Sequence, residues 1–155
     1  MKKTKAEKAA MKFLVGGHPV LYIFMRSDLT SLNAGKAMAQ ASHAANAMVH
    51  LIKHGGLVPS KHIKNLLTKW ENSTAQGFGT CLVLDCHNEH VILQTIDKLN
   101  QASKEVITDI INDPTYPVRD GDLTHYISLN TCGYAFFDKD DEQLSKILEN
   151  FKLYK

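Results

Sequence analysis

The chain has 155 residues, of which 44% are hydrophobic and 22% are charged, and its formal net charge is +2. These values are typical of one soluble globular domain, and the charge gives no indication of a strongly basic nucleic-acid binder. Three cysteines without a C-x-x-C pair indicate reduced thiols of a cytoplasmic protein, not a disulfide framework or a metal site.

The first 18 residues are predicted to form a flexible, basic tail that contains five lysines before residue 13. An apolar run over residues 13–25 follows and superficially resembles a secretory signal. Gly16 to Pro19 interrupts that run, however, and no small-x-small cleavage site follows it. The run is also too short to cross a membrane. We therefore expect a cytoplasmic protein without a membrane partner.

Apolar periodicity and turn residues predict eight elements in the order β-α-α-β-α-β-β-α. In chain order these begin with a strand over 20–25, a helix from 33 or 35 to 54 and a helix over 59–73. A strand over 80–85, a helix over 88–101 and strands over 106–111 and 131–137 follow, and the last helix begins at 140 or 141. Alternating strands and helices favour a single α/β domain over residues 19–155 with a mostly parallel sheet. The polar link with Pro114 and Pro117 is too short for a crossover helix, so the last strand is predicted to run antiparallel.

The first helix is predicted to display a polar face. Lys36, Gln40 and His43 are spaced four and three residues apart, so they lie within about 60° of one another. The opposite arc carries an apolar stripe that should be buried. The residues of this stripe are Met38, Ala41, Ala45, Met48, Val49 and Ile52.

Two polar segments follow strands, residues 26–36 and 113–122, and in open α/β sheets ligands bind outside the carboxyl ends of strands. If the first and third strands are neighbours, Asp120 and Thr124 meet Lys36 across a cleft. A lysine in the first turn of a helix opposes the helix dipole at a cost of about 0.3–1 kcal/mol. That position also suits binding of a phosphate or an oxyanion.

Neither a P-loop nor a metal site is predicted. The P-loop pattern would need a glycine in place of Thr30 and a hydroxyl in place of Ala37. His50 and His54 are four residues apart, but no glutamate follows His50 as a zinc-binding H-E-x-x-H helix requires. We predict no cofactor.

Five blocks of residues resemble the type 2 peptidyl-tRNA hydrolases, the archaeal and eukaryotic-type enzymes that hydrolyse the ester joining a peptide to tRNA. The resemblance covers about residues 20–154. The blocks are Arg26-x-Asp28-Leu29, Gly35-Lys36-x-x-Ala39-Gln40-x-x-His43-Ala44, Leu67-x-x-Trp70-Glu71, Val118-x-Asp120 with Thr124, and Phe151-Lys152-Leu153-Tyr154. The family fold implies a three-layer domain, with a mixed four-stranded sheet and helices on both faces.

The resemblance also implies roles for individual residues. Lys36, Asp120 and Thr124 would form the centre of the site. Asp120 would activate a water that Thr124 holds, and Lys36 would stabilise the oxyanion or a tRNA phosphate. Substrate-binding residues at the edge would be Arg26, Asp28, Gln40, His43 and His125. Peptidyl-tRNA is the implied partner, and the oligomeric state is left open, a homodimer included.

The chain departs from the family pattern near Asp120. Where the family usually reads Asp-Ala-Gly-x-Thr-Gln, this sequence has Asp120-Gly-Asp-Leu-Thr-His125, and residues 126–130 lack the usual Pro-Gly-Ser turn. His125 could share the role of base near neutral pH. Three functions therefore stay open: peptidyl-tRNA hydrolysis, a catalytically silent domain that binds tRNA or a protein, and hydrolysis of a smaller acylated substrate.

Overall fold

The computed structural model describes residues 17–56 and 58–155, so nearly all of the predicted N-terminal tail lies outside the described residues. Within these described residues, four strands and four helices follow in the predicted order. They are β1 (Pro19–Arg26), α1 (Ala34–His54), α2 (Lys61–Glu71), β2 (Cys81–Cys86), α3 (Glu89–Ala102), β3 (Ile107–Asp120), β4 (Leu123–Asp138) and α4 (Glu142–Leu148).

The strands form one mixed sheet in the order β2-β1-β4-β3. Only β1 and β2 pair in parallel, whereas β4 runs antiparallel to both β1 and β3. The prediction of a mostly parallel sheet was therefore wrong, although the predicted direction of the last strand is confirmed. The first and third strands are also not neighbours, because β4 lies between them. Strands β1, β2 and β3 nevertheless point the same way, so their carboxyl ends face the same edge.

Helices cover both faces of the sheet and bury a separate apolar core on each. Side chains of α1 and α2 pack on one face around Leu21, Ile23 and Phe136. Side chains of α3 and α4 pack on the other around Tyr22, Phe24 and Phe137. This division follows from the alternation of side chains along β1 and the second half of β4, which are buried on both sides. The architecture is the predicted three-layer α/β domain.

A close approach of α3 to the sheet depends on Gly133. A Cβ atom at this position would lie 2.6 Å from Cγ2 of Ile92 and 3.1 Å from Cδ1 of Ile96. A larger residue would therefore push α3 away from β4.

The two longest strands extend well beyond the sheet as a hairpin. The prediction placed a loop between residues 111 and 131, but β3 reaches Asp120 and β4 begins at Leu123. The two residues between them form a tight turn in which Gly121 has a φ of +59°. The prolines did not break β3 because it is an edge strand, and Pro114 sits where the register shifts.

The C-terminal segment adds a short pairing to the edge of β2. Asp85 donates its backbone N–H to the carbonyl of Lys152 at 2.8 Å, and Tyr154 donates to the carbonyl of Val83 at 2.9 Å. The last residues therefore run along the sheet beside the amino-terminal part of α1. No helix in the described part of the chain is long and apolar enough to span a membrane.

Candidate active site

The hairpin bends over the first turns of α1. Asp113 accepts hydrogen bonds from the N–H and hydroxyl of Thr115 within the irregular stretch between Asp113 and Tyr116. Irregularities of this kind bend a strand and redirect its side chains. Beyond the bend, Tyr116 is fully buried and its hydroxyl lies 3.2 Å from Oγ of Ser31. The hairpin thereby meets the loop that leaves β1 and the first turn of α1, and this junction is here called the crevice.

Lys36 lies in this crevice. The amide oxygen of Asn33 caps α1 by accepting a hydrogen bond from the backbone N–H of Lys36 at 3.0 Å. The Lys36 ammonium donates to the carbonyl of Pro117 at 2.6 Å and lies 4.9 Å from the ring centroid of Tyr116. These contacts offset the unfavourable position at the positive end of the helix dipole. Within the part of the chain that the structure describes, two of the three ammonium donors remain for a ligand.

Gln40 is buried and not displayed. Its side chain is 3% exposed, whereas Met38, which was expected in the buried stripe, is 69% exposed. Gln40 donates to a carboxylate oxygen of Asp113 at 2.7 Å and accepts from the hydroxyl of Thr131 at 2.6 Å. The core face of α1 is therefore rotated by roughly one position from the predicted stripe, toward Ala37, Gln40 and Ala44. The Gln40 amide links the bend in β3 to the centre of β4.

Gln40→Ala is expected to lower the free energy of unfolding by about 2–3 kcal/mol, because the buried Thr131 hydroxyl and the Asp113 carboxylate would lose a partner. Urea denaturation followed by circular dichroism measures this difference. The matched control is Gln143→Ala on α4, whose side chain is exposed, and its expected effect is within about 0.5 kcal/mol. Equal stabilities of the two variants would contradict a role for Gln40 in the core.

Arg26 is the centre of a partly buried polar cluster at the carboxyl end of β1. Its guanidinium binds Asp28 through two hydrogen bonds, of 2.9 and 2.8 Å. It also donates to the carbonyl of Asn130 at 2.9 Å and forms a 3.4 Å ion pair with Glu89. The hydrogen bonds that Arg26 donates to Asp28 lower the pKa of Asp28, and the same bonds raise the pKa of Arg26. The charged groups of Arg26 and Asp28 are thus bound mainly to each other.

The cluster continues into the segment that departs from the family pattern. Asn130 donates to Glu89 at 2.7 Å and accepts from the side chain of Asn112 at 3.0 Å. Asn112 in turn accepts from the hydroxyl of Ser128 at 3.0 Å. The altered segment is therefore an ordered part of β4, joined through Asn130 and Glu89 to the end of β1.

The hairpin tip carries Asp120, Thr124 and His125, all of which are exposed. Asp120 pairs with Leu123, and His125 pairs with Val118, so these residues share one face of the ribbon with Tyr116. Thr124 pairs with Arg119 and lies on the opposite face. Asp120 is four residues beyond Tyr116, or about 13 Å along the strand.

The predicted site residues are thus only partly brought together. Within residues 17–56 and 58–155, no hydrogen bond or ion pair joins Lys36 to Asp120. His43 lies on the exposed side of α1, one turn beyond Gln40. Arg26, Asp28 and Gln40 make contacts within the protein that fix the strands around the crevice, whereas Lys36 contacts the hairpin directly.

Several residues that shape the site were not predicted individually. Glu89, Asp113, Tyr116 and Thr131 bind or position the predicted residues, and each is distant from its partner in sequence. Asp113 did fall in a segment that was expected to hold ligand-binding residues. Thr131 gave a weaker signal in the sequence, because it is a hydroxyl residue at the start of an apolar run. In the structure its side chain is fully buried.

The described part of the chain contains no group of three or more His, Cys, Asp or Glu side chains arranged to hold a metal ion. Burial raises the pKa of Cys86 and of Cys132 to about 12. Both thiols are therefore protonated at neutral pH and unsuited to nucleophilic attack.

The fold is a three-layer α/β domain, and its candidate site lies at the carboxyl end of the first strand, between a helix N-terminus and a hairpin. The family model for peptidyl-tRNA hydrolase PTH2 matches residues 19–154, nearly the whole chain. The chain therefore belongs to the PTH2 family of peptidyl-tRNA hydrolases, which are translation-related hydrolases acting on an ester bond. Comparison with individual curated proteins gives no significant match.

Proposed function

We propose that the crevice between α1 and the hairpin hydrolyses the ester bond between peptide and tRNA by direct attack of water on the ester carbonyl. Family membership supports the substrate and the reaction class. The observation that carries the assignment to this crevice is the Lys36 ammonium, which is fixed by the carbonyl of Pro117 on the same ribbon that bears Asp120. A fixed cation beside a ribbon that carries a carboxylate suits a reaction that develops negative charge on one oxygen while removing a proton from another.

Lys36 is assigned to stabilise the oxyanion of the tetrahedral intermediate. Its contacts with Pro117 and Tyr116 hold the ammonium in place before substrate binds. Preorganised positive charge of this kind favours the transition state over the ground state, because the carbonyl oxygen becomes anionic only during attack.

Asp120 is assigned to orient and deprotonate the attacking water. It lies about 13 Å along the strand from Tyr116 on the same ribbon face, so the ester and the attacking water would lie along this face between Tyr116 and Asp120. His125 is a diagonal neighbour of Asp120 on that face and is placed to share the proton.

Thr124 requires a further movement to hold the water, as the resemblance implies. Its side chain lies on the face opposite to Asp120. The role needs a rotation of the ribbon tip at Gly121 and Asp122, where the two-residue turn connects the strands.

Lys36→Ala is expected to lower kcat about 100-fold in release of peptide from N-acetyl-aminoacyl-tRNA, because one oxyanion donor is lost. Lys98→Ala, which removes an exposed lysine from α3, is the matched control and should retain wild-type activity. An unchanged kcat for Lys36→Ala, in a variant that unfolds at the wild-type urea concentration, would remove Lys36 from the mechanism.

The second candidate is a catalytically silent domain that binds tRNA. The absence of a hydrogen bond or ion pair between Lys36 and Asp120 in the described residues favours it. This function predicts salt-sensitive tRNA binding without peptide release.

A cytoplasmic location belongs to the same proposal. The three cysteines are all free thiols, which is usual in a reducing compartment. The translation-related role of the family points to the same compartment.

A further inference from the structure

An apolar cavity of about 370 Å³ lies on the other side of α1 from the Lys36 ammonium. Its wall includes Ala37 and Ala41 of α1, Met25 and Val83 of the sheet, and Tyr154 of the C-terminal segment. Met38 and Lys155, both exposed, lie at its edge. The hydrolytic roles of Lys36 and Asp120 make no use of this cavity.

The cavity and the crevice share two stretches of chain, the loop before α1 and the first turn of α1. Ser31 contacts Tyr116 in the crevice, whereas the next residue, Leu32, lines the cavity. In the same way, Lys36 reaches the hairpin and the next residue, Ala37, lines the cavity. A helix with its side chains is about 10 Å across, so one substrate lying over the first turn of α1 can occupy both compartments.

We propose that this cavity binds the adenine base of the 3′-terminal nucleoside of peptidyl-tRNA, an inference that rests on the proposed function. The peptide ester is attached to the ribose of that nucleoside, so the base must lie within one sugar of the reacting carbonyl. The adenine is common to all tRNAs, whereas the esterified side chain varies, and a preformed cavity suits the constant group.

The lining has the chemistry of a base-stacking site. Three alanines, at positions 34, 37 and 41, leave one side of the cavity flat, and Tyr154 supplies an aromatic ring. Met25 and Met38 add thioethers, which make favourable contacts with aromatic rings. Among the described residues that line the cavity, only Lys155 is charged, so recognition is assigned to the base and not to the phosphate.

The first test compares adenosine 5′-monophosphate with ribose 5-phosphate, which lacks the base. Titration of the wild-type protein, followed by the NMR signals of the Met25 and Met38 methyl groups, should show saturable shifts with adenosine 5′-monophosphate only. Equal shifts with both compounds, or no shift with either, would overturn the proposal without any variant being needed.

The second test fills the cavity. Ala41→Leu should weaken binding of adenosine 5′-monophosphate at least 10-fold, whereas Ser42→Leu, an exposed change on the same helix, should bind as the wild type does. In hydrolysis, Ala41→Leu should raise KM about 10-fold with kcat within 2-fold, equally for N-acetylphenylalanyl-tRNA and N-acetylglycyl-tRNA. A loss confined to the phenylalanyl ester would show that the cavity holds the amino-acid side chain and would contradict the proposal.

The two tests separate this inference from the proposed function. Normal hydrolysis with no base-dependent shift would refute the adenine site alone. Specific binding of adenosine 5′-monophosphate without hydrolysis by the wild type would support the site and refute the enzymatic proposal.

Discussion

Asp120→Asn is expected to lower kcat for peptidyl-tRNA about 1,000-fold while leaving tRNA binding within 2-fold. Asparagine keeps the shape of the side chain but cannot accept the proton of the attacking water, and general-base catalysis typically contributes 10²–10⁴-fold. Single-turnover release of labelled peptide measures the chemical step, and filter binding of deacylated tRNA measures affinity.

The neighbouring carboxylate supplies the control for this substitution. Asp122 lies in the two-residue turn that follows Asp120 and is also exposed, so Asp122→Asn changes the charge of the tip by the same amount. It should retain at least half of the wild-type rate. Equal losses in both variants would assign the effect to the electrostatic field of the hairpin and not to a base at Asp120.

Arg26→Ala is expected to lower the free energy of unfolding at neutral pH by about 3 kcal/mol. The substitution leaves Asp28, Glu89 and the carbonyl of Asn130 without their shared donor, and breaking a buried ion pair typically costs 3–5 kcal/mol. The lower end of this energy range applies because the carboxylates of Asp28 and Glu89 are partly exposed to solvent. Arg119→Ala, which removes an exposed arginine from the hairpin, should change stability by less than about 0.5 kcal/mol.

The effect of Arg26→Ala should depend on pH in a defined direction. Arg26 lowers the pKa of Asp28 in the folded state, so this contribution is present above the unfolded pKa of about 3.9. It is lost as the pH falls through the lower folded pKa. The difference in stability between wild type and variant should therefore shrink below about pH 4 in urea titrations. A difference that grows with acidity would contradict the ion pair.

The order of elements was predictable because each one carries a local signal. Asn33, Ser60, Asn88 and Asp141 cap the four helices through their side-chain oxygens, and all four types are preferred at that position. The apolar runs of β1 and β4 likewise reflect their burial on both faces. Such signals lie within a few residues of the feature that they determine.

The long hairpin gave no comparable signal. Its residues are mostly exposed, and its prolines are typical of loops, so neither periodicity nor propensity indicated a strand. It is held in place by tertiary contacts of Tyr116 with Ser31, in the loop before α1, and of Pro117 with Lys36, in the first turn of α1. Contacts between residues that are distant in sequence, such as these, cannot be predicted from the local sequence.

The same reason explains the misassigned face of α1. Met38 and Gln40 are two residues apart, and apolar patterning predicted the methionine to be buried. Burial of Gln40 becomes favourable only because Asp113 and Thr131, from two different strands, satisfy its amide. Lys36 was predicted as a site residue from its position at the helix start. Its actual partner, the carbonyl of Pro117, followed only from the hairpin.

The central claim, that this crevice hydrolyses peptidyl-tRNA, is tested most directly by multiple-turnover release of N-acetyl-peptide from tRNA by the purified wild-type chain. We expect catalytic release by the wild type and by Lys98→Ala, with Lys36→Ala and Asp120→Asn reduced about 100-fold and 1,000-fold respectively. Binding of tRNA by a folded wild-type protein with no release above buffer would contradict the claim and leave the silent tRNA-binding domain in its place.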